Sequence, residues 1–142
     1  MKITAQEEYG IRCLLRIARK GPGASVTIPE VSRAEGISGY YAAKLLRILR
    51  RGGLVKSARG QAGGYTLSRP PEEISVGEAL AVLGGRLYGP EFCQHHAGSG
   101  PVCVNTADCS VRPLWCSLQG VVDQVLARTT LGDLLEAHTP GA

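Results

Sequence analysis

The stretch "ISGYYAAKLLRILRRGGLVKSARGQAGGYTL", residues 37–67, decides the fold. Its first half carries Ala42, Leu45, Leu46 and Leu49 as one apolar stripe at helical spacing. Lys44, Arg47, Arg50 and Arg51 fall on the opposite, solvated side, and Ser38 stands where it can cap the helix start. Gly52-Gly53 ends the run. Two short β-prone segments follow, "LVKSA" and "YTLS", joined by "RGQAGG", which predicts a two-stranded ribbon with a cationic, glycine-rich tip. A helix with a polar start and a basic face, followed at once by such a ribbon, is the second half of a winged helix-turn-helix, provided a shorter helix and a tight turn precede it.

The upstream sequence supplies both. Thr27 and Glu30 have capping-box spacing, Pro29 is tolerated in the first turn, and the short helix they open ends at Gly36. Earlier still, Thr4 and Glu7 repeat that spacing, and Ile11, Leu14, Leu15 and Ala18 recur at helical intervals until Gly21-Pro22-Gly23 stops them. In this geometry the second helix enters the major groove of DNA by its N-terminal end, which puts Ser38, Gly39, Tyr40, Tyr41 and Lys44 on the duplex, with Arg47 one turn behind. Thr27, at the start of the preceding helix, joins them. The ribbon offers Lys56, Arg59 and the open backbone of Gly60 and Gly64 to phosphates and the minor groove, where charge and close approach matter more than base-edge geometry.

Charge agrees. The 142-residue chain has a net charge of +4, but residues 1–70 sum to +9 and residues 71–142 to −5. A basic block of that size is an electrostatic footprint for a polyanion, whereas the acidic half would be repelled by one. Hydrophobic residues make up 44% of the chain and only seven are aromatic, so the core is expected to be aliphatic and mainly helical. No run reaches the roughly 18 apolar residues of a membrane helix, and Met1-Lys2 leads straight into an amphipathic pattern, so a cytoplasmic protein with no membrane partner is expected. There the thiol pool keeps cysteines reduced, and five of them suggest metal binding or redox chemistry.

The acidic half begins with Ser75 and Glu78, another capping-box pair opening a short helix that ends at Gly84-Gly85. A loop rich in Gly, Pro, Ser and Asn comes next. A long helix follows with Pro113 near its start. In it Leu114, Leu118, Val121 and Val125 alternate four and three apart, the seam of a helix packed on a partner helix or on its own core, and Val122 and Leu126 widen it. Thr130 to Asp133 caps a last short helix. The expected organisation is a DNA-binding domain over residues 1–84, a cysteine-bearing loop over 85–112, and a dimerisation helix plus short helix over 113–142.

The segments "TAQEEYGIRCLLRIA", the 37–67 stretch continued through "SRPPEEISVGEAL", and "LGDLL" resemble the IscR/NsrR family of winged-helix transcription regulators over nearly the whole chain. The "G-L-V-x-S-x-R-G-x-x-G-G-Y-x-L" string from Gly53 to Leu67 is the most specific part. The resemblance implies a mainly α fold with a small β-hairpin wing, a homodimer joined through the long helix, an imperfect palindromic double-stranded DNA operator, and an iron-sulfur cluster in the cysteine loop. It also implies that the cluster ligands are Cys93, Cys103 and Cys109, the last standing shortly before the "L-W" pair Leu114-Trp115.

These three cysteines have nine and five residues between them, and soft thiolates suit iron-sulfur clusters or zinc. Structural zinc sites use closely spaced ligand pairs, which this chain lacks, so zinc is the weaker choice. Nuclearity, 2Fe-2S or 4Fe-4S, stays open. Some branches of the family supply a fourth ligand as a His before the "L-W" pair. Arg112 stands near there instead, and a guanidinium cannot ligate iron. Other branches use a carboxylate on the first helix of the second subunit, where this chain has Glu8. An ion pair with Arg12 on the helix surface is the competing role for Glu8. His95, His96, Cys116 or solvent are alternatives, and Cys13 is expected in the core. A DNA-binding regulator without a cluster, switched by reversible oxidation of Cys93, Cys103 or Cys109, is the rival reading. No nucleophile-base constellation or phosphate-binding loop points to an enzyme.

Overall fold

The computed structural model describes residues 2–58, 63–89 and 91–137. Helix α1 (Ala5–Arg19) opens on the Thr4/Glu7 capping box, and α2 (Ile28–Glu35) on the Thr27/Glu30 box. Gly36 closes α2 with φ 67°, a left-handed turn that glycine adopts without steric cost. Helix α3 (Gly39–Arg51) starts with the Ser38 hydroxyl accepting the Tyr41 amide at 3.0 Å. Then come β1 (Val55–Ala58) and β2 (Gly64–Leu67), antiparallel in the register Val55↔Leu67 to Ala58↔Gly64.

The hairpin does not stand alone. Val26, just before α2, exchanges two backbone hydrogen bonds with Tyr65, at 2.9 and 2.8 Å, tying the wing to the helix-turn-helix. This approach accounts for Gly64, where an added Cβ would lie 2.6 Å from the Val26 carbonyl oxygen. Beyond a 3-10 turn at Pro71–Glu73, α4 (Val76–Leu83) opens on the Ser75/Glu78 capping box. A four-residue helix α5 (Phe92–His95) interrupts the loop, α6 (Arg112–Arg128) is the long helix, and α7 (Leu131–Glu136) opens on Thr130/Asp133.

The core is aliphatic, as composition requires. Leu14, Ile17, Val31, Ala42, Leu45, Leu46 and Leu49 from the first three helices meet Leu54 and Val55 of the wing, Ile74, Ala79 and Leu83 around α4, and Leu131 of α7. Burial of each large aliphatic side chain contributes about 1.5–3 kcal/mol. Gly10 lets α4 come close, since a Cβ there would sit 2.3 Å from a methyl of the buried Leu83.

The long helix and the short helix after it contact different parts of the body. Helix α6 packs on α4, with Leu126 against Gly77. Helix α7 returns to the main core, where Leu131 is fully buried and its amide donates to the Ile74 carbonyl while the Val76 amide donates to Thr129. Among the described residues no helix is long and apolar enough to cross a membrane.

Candidate nucleic-acid interface and the cysteine-bearing loop

The N-terminal end of α3 projects from the body. Tyr40 is 86% exposed, and Ser38, Gly39, Lys44 and Arg47 are exposed beside it. Tyr41 is half buried, its ring meeting that of Tyr9 of α1 edge-on with centroids 6.3 Å apart. Thr27 is half buried, and its hydroxyl accepts the Glu30 amide in the α2 cap. Lys56 is exposed on β1. Gly64 is half buried against Val26, so its backbone faces the body as well as the ribbon. Arg59 and Gly60 lie outside the described residues.

Five of the described cations are paired with carboxylates, four of them at separations that helix spacing does not show. Arg12 pairs with Glu8, Arg16 with Glu35, Lys20 with Glu30, Arg69 with Glu78 and Arg86 with Asp123. Among the described residues the side chains of Lys44, Arg47, Arg50, Arg51 and Lys56 have no carboxylate partner. Five uncompensated positive charges on α3 and the wing create a local field that attracts a phosphate backbone. The missed participants are Tyr9 and Val26, whose contacts are non-local and leave no periodic signal.

The cysteines occupy different settings. Cys13 is fully buried in the core, and burial pushes its thiol pKa up to about 12, as expected of an inert structural cysteine. Cys93 on α5 and Cys103 and Cys109 in the loop are half buried, while Cys116 is exposed on α6. The Cys93 sulfur lies 3.7 Å from the Tyr88 hydroxyl, and this contact holds the Tyr88 phenol above its ordinary pKa. Tyr88, Phe92 and His96 form a ladder of rings, the last two stacked at 4.1 Å. His95 is exposed. The Cys103 carbonyl accepts from the Thr106 hydroxyl at 2.6 Å, and Arg112 reaches the Thr106 carbonyl at 3.2 Å, so this side chain braces the loop.

Among the described residues no three His, Cys, Asp or Glu side chains converge in one group. Cys93, Cys103 and Cys109 are therefore not brought together within the single chain, and Glu8 stands apart on α1 in its 2.6 Å ion pair with Arg12. The donor set still fits an iron-sulfur cluster in kind: three soft, half-buried sulfurs carried by one loop.

A cavity of about 370 Å³ lies between the start of this loop and α6, walled by Arg86, Tyr88, Arg112, Cys116, Gln119 and Asp123. Gln119, 5% exposed, accepts the Tyr88 amide at 2.8 Å and donates to Asp123 at 2.8 Å. On its other side α6 presents Leu114, Leu118, Val121 and Val125, which are 53%, 37%, 60% and 49% exposed. Val122 is half buried on the flank nearer the body.

Comparison with known proteins agrees with this architecture. The family model described as an iron-dependent transcriptional regulator, Rrf2, matches residues 3–137. The Rrf2 protein of Nitratidesulfovibrio vulgaris is 35% identical over 95% of this chain and 87% of its own length. The solved structure of CymR (YrzC), the global cysteine regulator of B. subtilis, superposes with a TM-score of 0.79 at 29% identity, covering 98% of this chain and 99% of its own. That of T. potens IscR does so with 0.75 at 28% identity, covering 99% and 94%. The chain, a winged-helix protein with unpaired cations on α3, belongs to the Rrf2 family of DNA-binding transcriptional regulators.

Proposed function

We propose that this regulator grips DNA as a homodimer and that the cysteine-bearing loop governs how firmly. The observation that carries the first half is the uncompensated cation row on α3 and β1 beside the 86% exposed Tyr40. Ser38, Gly39, Tyr40 and Tyr41 enter the major groove, and Lys44 beside them meets the phosphate backbone. Thr27, Arg47 and Lys56, together with Arg59, Gly60 and Gly64 of the wing, hold the backbone and the minor groove. The second half of the dimer is supplied by the α6 row Leu114, Leu118, Val121 and Val125, flanked by Val122, an apolar surface too continuous to be left in water. A two-fold pair of α3 helices then reads an imperfect palindrome with half-sites about 34 Å apart.

In the primary reading Cys93, Cys103 and Cys109 hold an iron-sulfur cluster, 2Fe-2S or 4Fe-4S, with Glu8 of the second copy as the oxygen ligand. The family's iron dependence and the likeness to IscR support it. Bound there, the cluster supplies an iron centre open to oxidation or nitric oxide, because a fourth thiolate is absent. For Glu8 to ligate, its carboxylate must leave Arg12, which exchanges an exposed helix-surface pair worth a few tenths of a kcal/mol, about 0.2–0.5, for a ligand bond. Joining helix α1 of one copy to the loop of the other fixes the angle between the two winged helices, and that angle sets affinity at both half-sites together. Anaerobic purification with iron, sulfide and absorption analysis tests this reading. A brown or red protein that loses its colour in Cys93→Ala, Cys103→Ala and Cys109→Ala supports it, and a colourless wild type refutes it.

The second reading is reversible oxidation of Cys93, Cys103 or Cys109 with no cluster, and the likeness to CymR, a cysteine regulator, supports it. Operator affinity that follows disulfide content in iron-free protein distinguishes it.

A further inference from the structure

Of the two cysteines left out of the proposed ligand set, Cys13 is buried and Cys116 is the most accessible of the five. Cys116 is exposed on α6, and its side chain lines the 370 Å³ cavity together with Tyr88. The Cys93 sulfur touches the hydroxyl of the same tyrosine at 3.7 Å. Tyr88 thus touches one thiol and shares a cavity wall with the other. The Tyr88 backbone is pinned to α6 by Gln119, one turn beyond Cys116, which holds this end of the loop against the helix. The Tyr88 side chain contacts the Cys93 sulfur and the Phe92 ring, both of the same loop.

We infer that Cys93 and Cys116 form an intrachain disulfide across the Tyr88 cavity when the protein meets a peroxide without a metal bound. Cys116, the more exposed thiol, attacks the peroxide: the O–O bond breaks, one oxygen stays on sulfur as a sulfenic acid, and the other leaves as water. The Cys93 sulfur then attacks the Cys116 sulfur, the S–O bond breaks, and the departing hydroxide takes the Cys93 proton to leave as a second water. Two thiols and one hydrogen peroxide become one disulfide and two waters. Closure requires the α5 turn to move towards α6, since a disulfide needs its two Cβ atoms about 3.5–4.5 Å apart. From His96 to Val102 every residue but Ala97 is exposed.

The bond consumes Cys93, so oxidised protein is unable to rebuild a three-thiolate site until it is reduced. This consequence rests on Cys93 being a cluster ligand; the disulfide itself does not.

The test uses the full chain, freed of iron with a chelator, reduced, and titrated with hydrogen peroxide, then alkylated and mapped by mass spectrometry without reduction. The expected result is a linked pair of peptides holding Cys93 and Cys116 as the main disulfide. Cys116→Ser abolishes it. Linkage of Cys93 to Cys103 or Cys109, linkage of two copies through Cys116, or a free Cys116 after oxidation overturns the inference. Untreated protein without iron that still forms the Cys93–Cys116 bond sinks the cluster reading and leaves this one standing. The Cys93→Ser variant, in which Cys116 accumulates as the sulfenic acid trapped by dimedone, identifies the thiol that reacts first; no trapping on Cys116 contradicts the assignment.

Discussion

Lys44→Ala isolates the electrostatic grip from everything else the helix does. Lys44 is exposed one turn into α3 and has no carboxylate partner among the described residues, so its removal costs no native contact, and alanine is the best helix former. Stability should stay within about 0.5 kcal/mol of wild type. A dimer loses two phosphate contacts. Each contact steepens the plot of log affinity against log salt by about 0.9, so the slope should become shallower by about 1.8. Over a fourfold rise in salt, from about 50 to 200 mM, wild type should therefore lose roughly tenfold more affinity than the variant. Fluorescence anisotropy on a duplex selected from a random pool measures this directly. Arg86→Ala is the control, since it changes the net charge equally but removes a cation paired with Asp123 at 2.8 Å in the acidic half. Equal slope changes in the two variants would show that bulk charge, and not the α3 face, attracts the DNA, and would refute the reasoning.

Three other outcomes follow from the packing. Gly64→Ala should destabilise the protein by about 1–3 kcal/mol and lower its thermal midpoint, because the new Cβ would meet the Val26 backbone at 2.6 Å and backbone gives way less readily than a side chain. An unchanged midpoint would contradict the Val26–Tyr65 tie. Leu118→Asp should yield monomers by size exclusion with light scattering and weaken operator binding, since it puts a charge in the middle of the uncovered α6 row; a stable dimer would remove α6 from the interface. Cys13, whose thiol is pushed up to about 12 by burial, holds its proton in the folded state after the unfolded chain has lost it. The folded state then binds more protons than the unfolded one, so stability falls as pH climbs from about 9 towards 12, by up to about 4 kcal/mol. Cys13→Ala should flatten that part of the urea-denaturation profile relative to wild type, and an identical profile would contradict it.

What the sequence disclosed was mostly local. The four capping boxes at Thr4, Thr27, Ser75 and Thr130 depend on a residue and its neighbour three positions on, and all four form as spacing predicts. The end of α2 at Gly36 and that of α3 before Gly52 are similarly local choices. The Glu8–Arg12 pair was legible as an i, i+4 contact. Non-local pairings were not. Nothing in the string "SVTIP" announces that Val26 will meet Tyr65 across 39 residues, or that Thr129 will accept the Val76 amide and bring α7 back to the core. The loop concealed α5, because four residues are too few to show a helical period. The basic face was visible as a charge count, but which cations are neutralised depends on where Glu30, Glu35, Glu78 and Asp123 fold to. Cysteine spacing conveys that Cys93, Cys103 and Cys109 share a loop, but not that no group of three such side chains forms among the described residues of the single chain.

The most direct test of the central claim compares operator affinity in one anaerobic preparation before and after its metal is removed by a chelator, with iron and sulfide counted in both samples. The account predicts a coloured, iron-containing protein whose affinity for the selected duplex changes when the iron leaves, and that Cys93→Ala, Cys103→Ala and Cys109→Ala behave like the stripped protein from the outset. An iron-free wild type, or one that binds the duplex equally well with and without its metal, would contradict it.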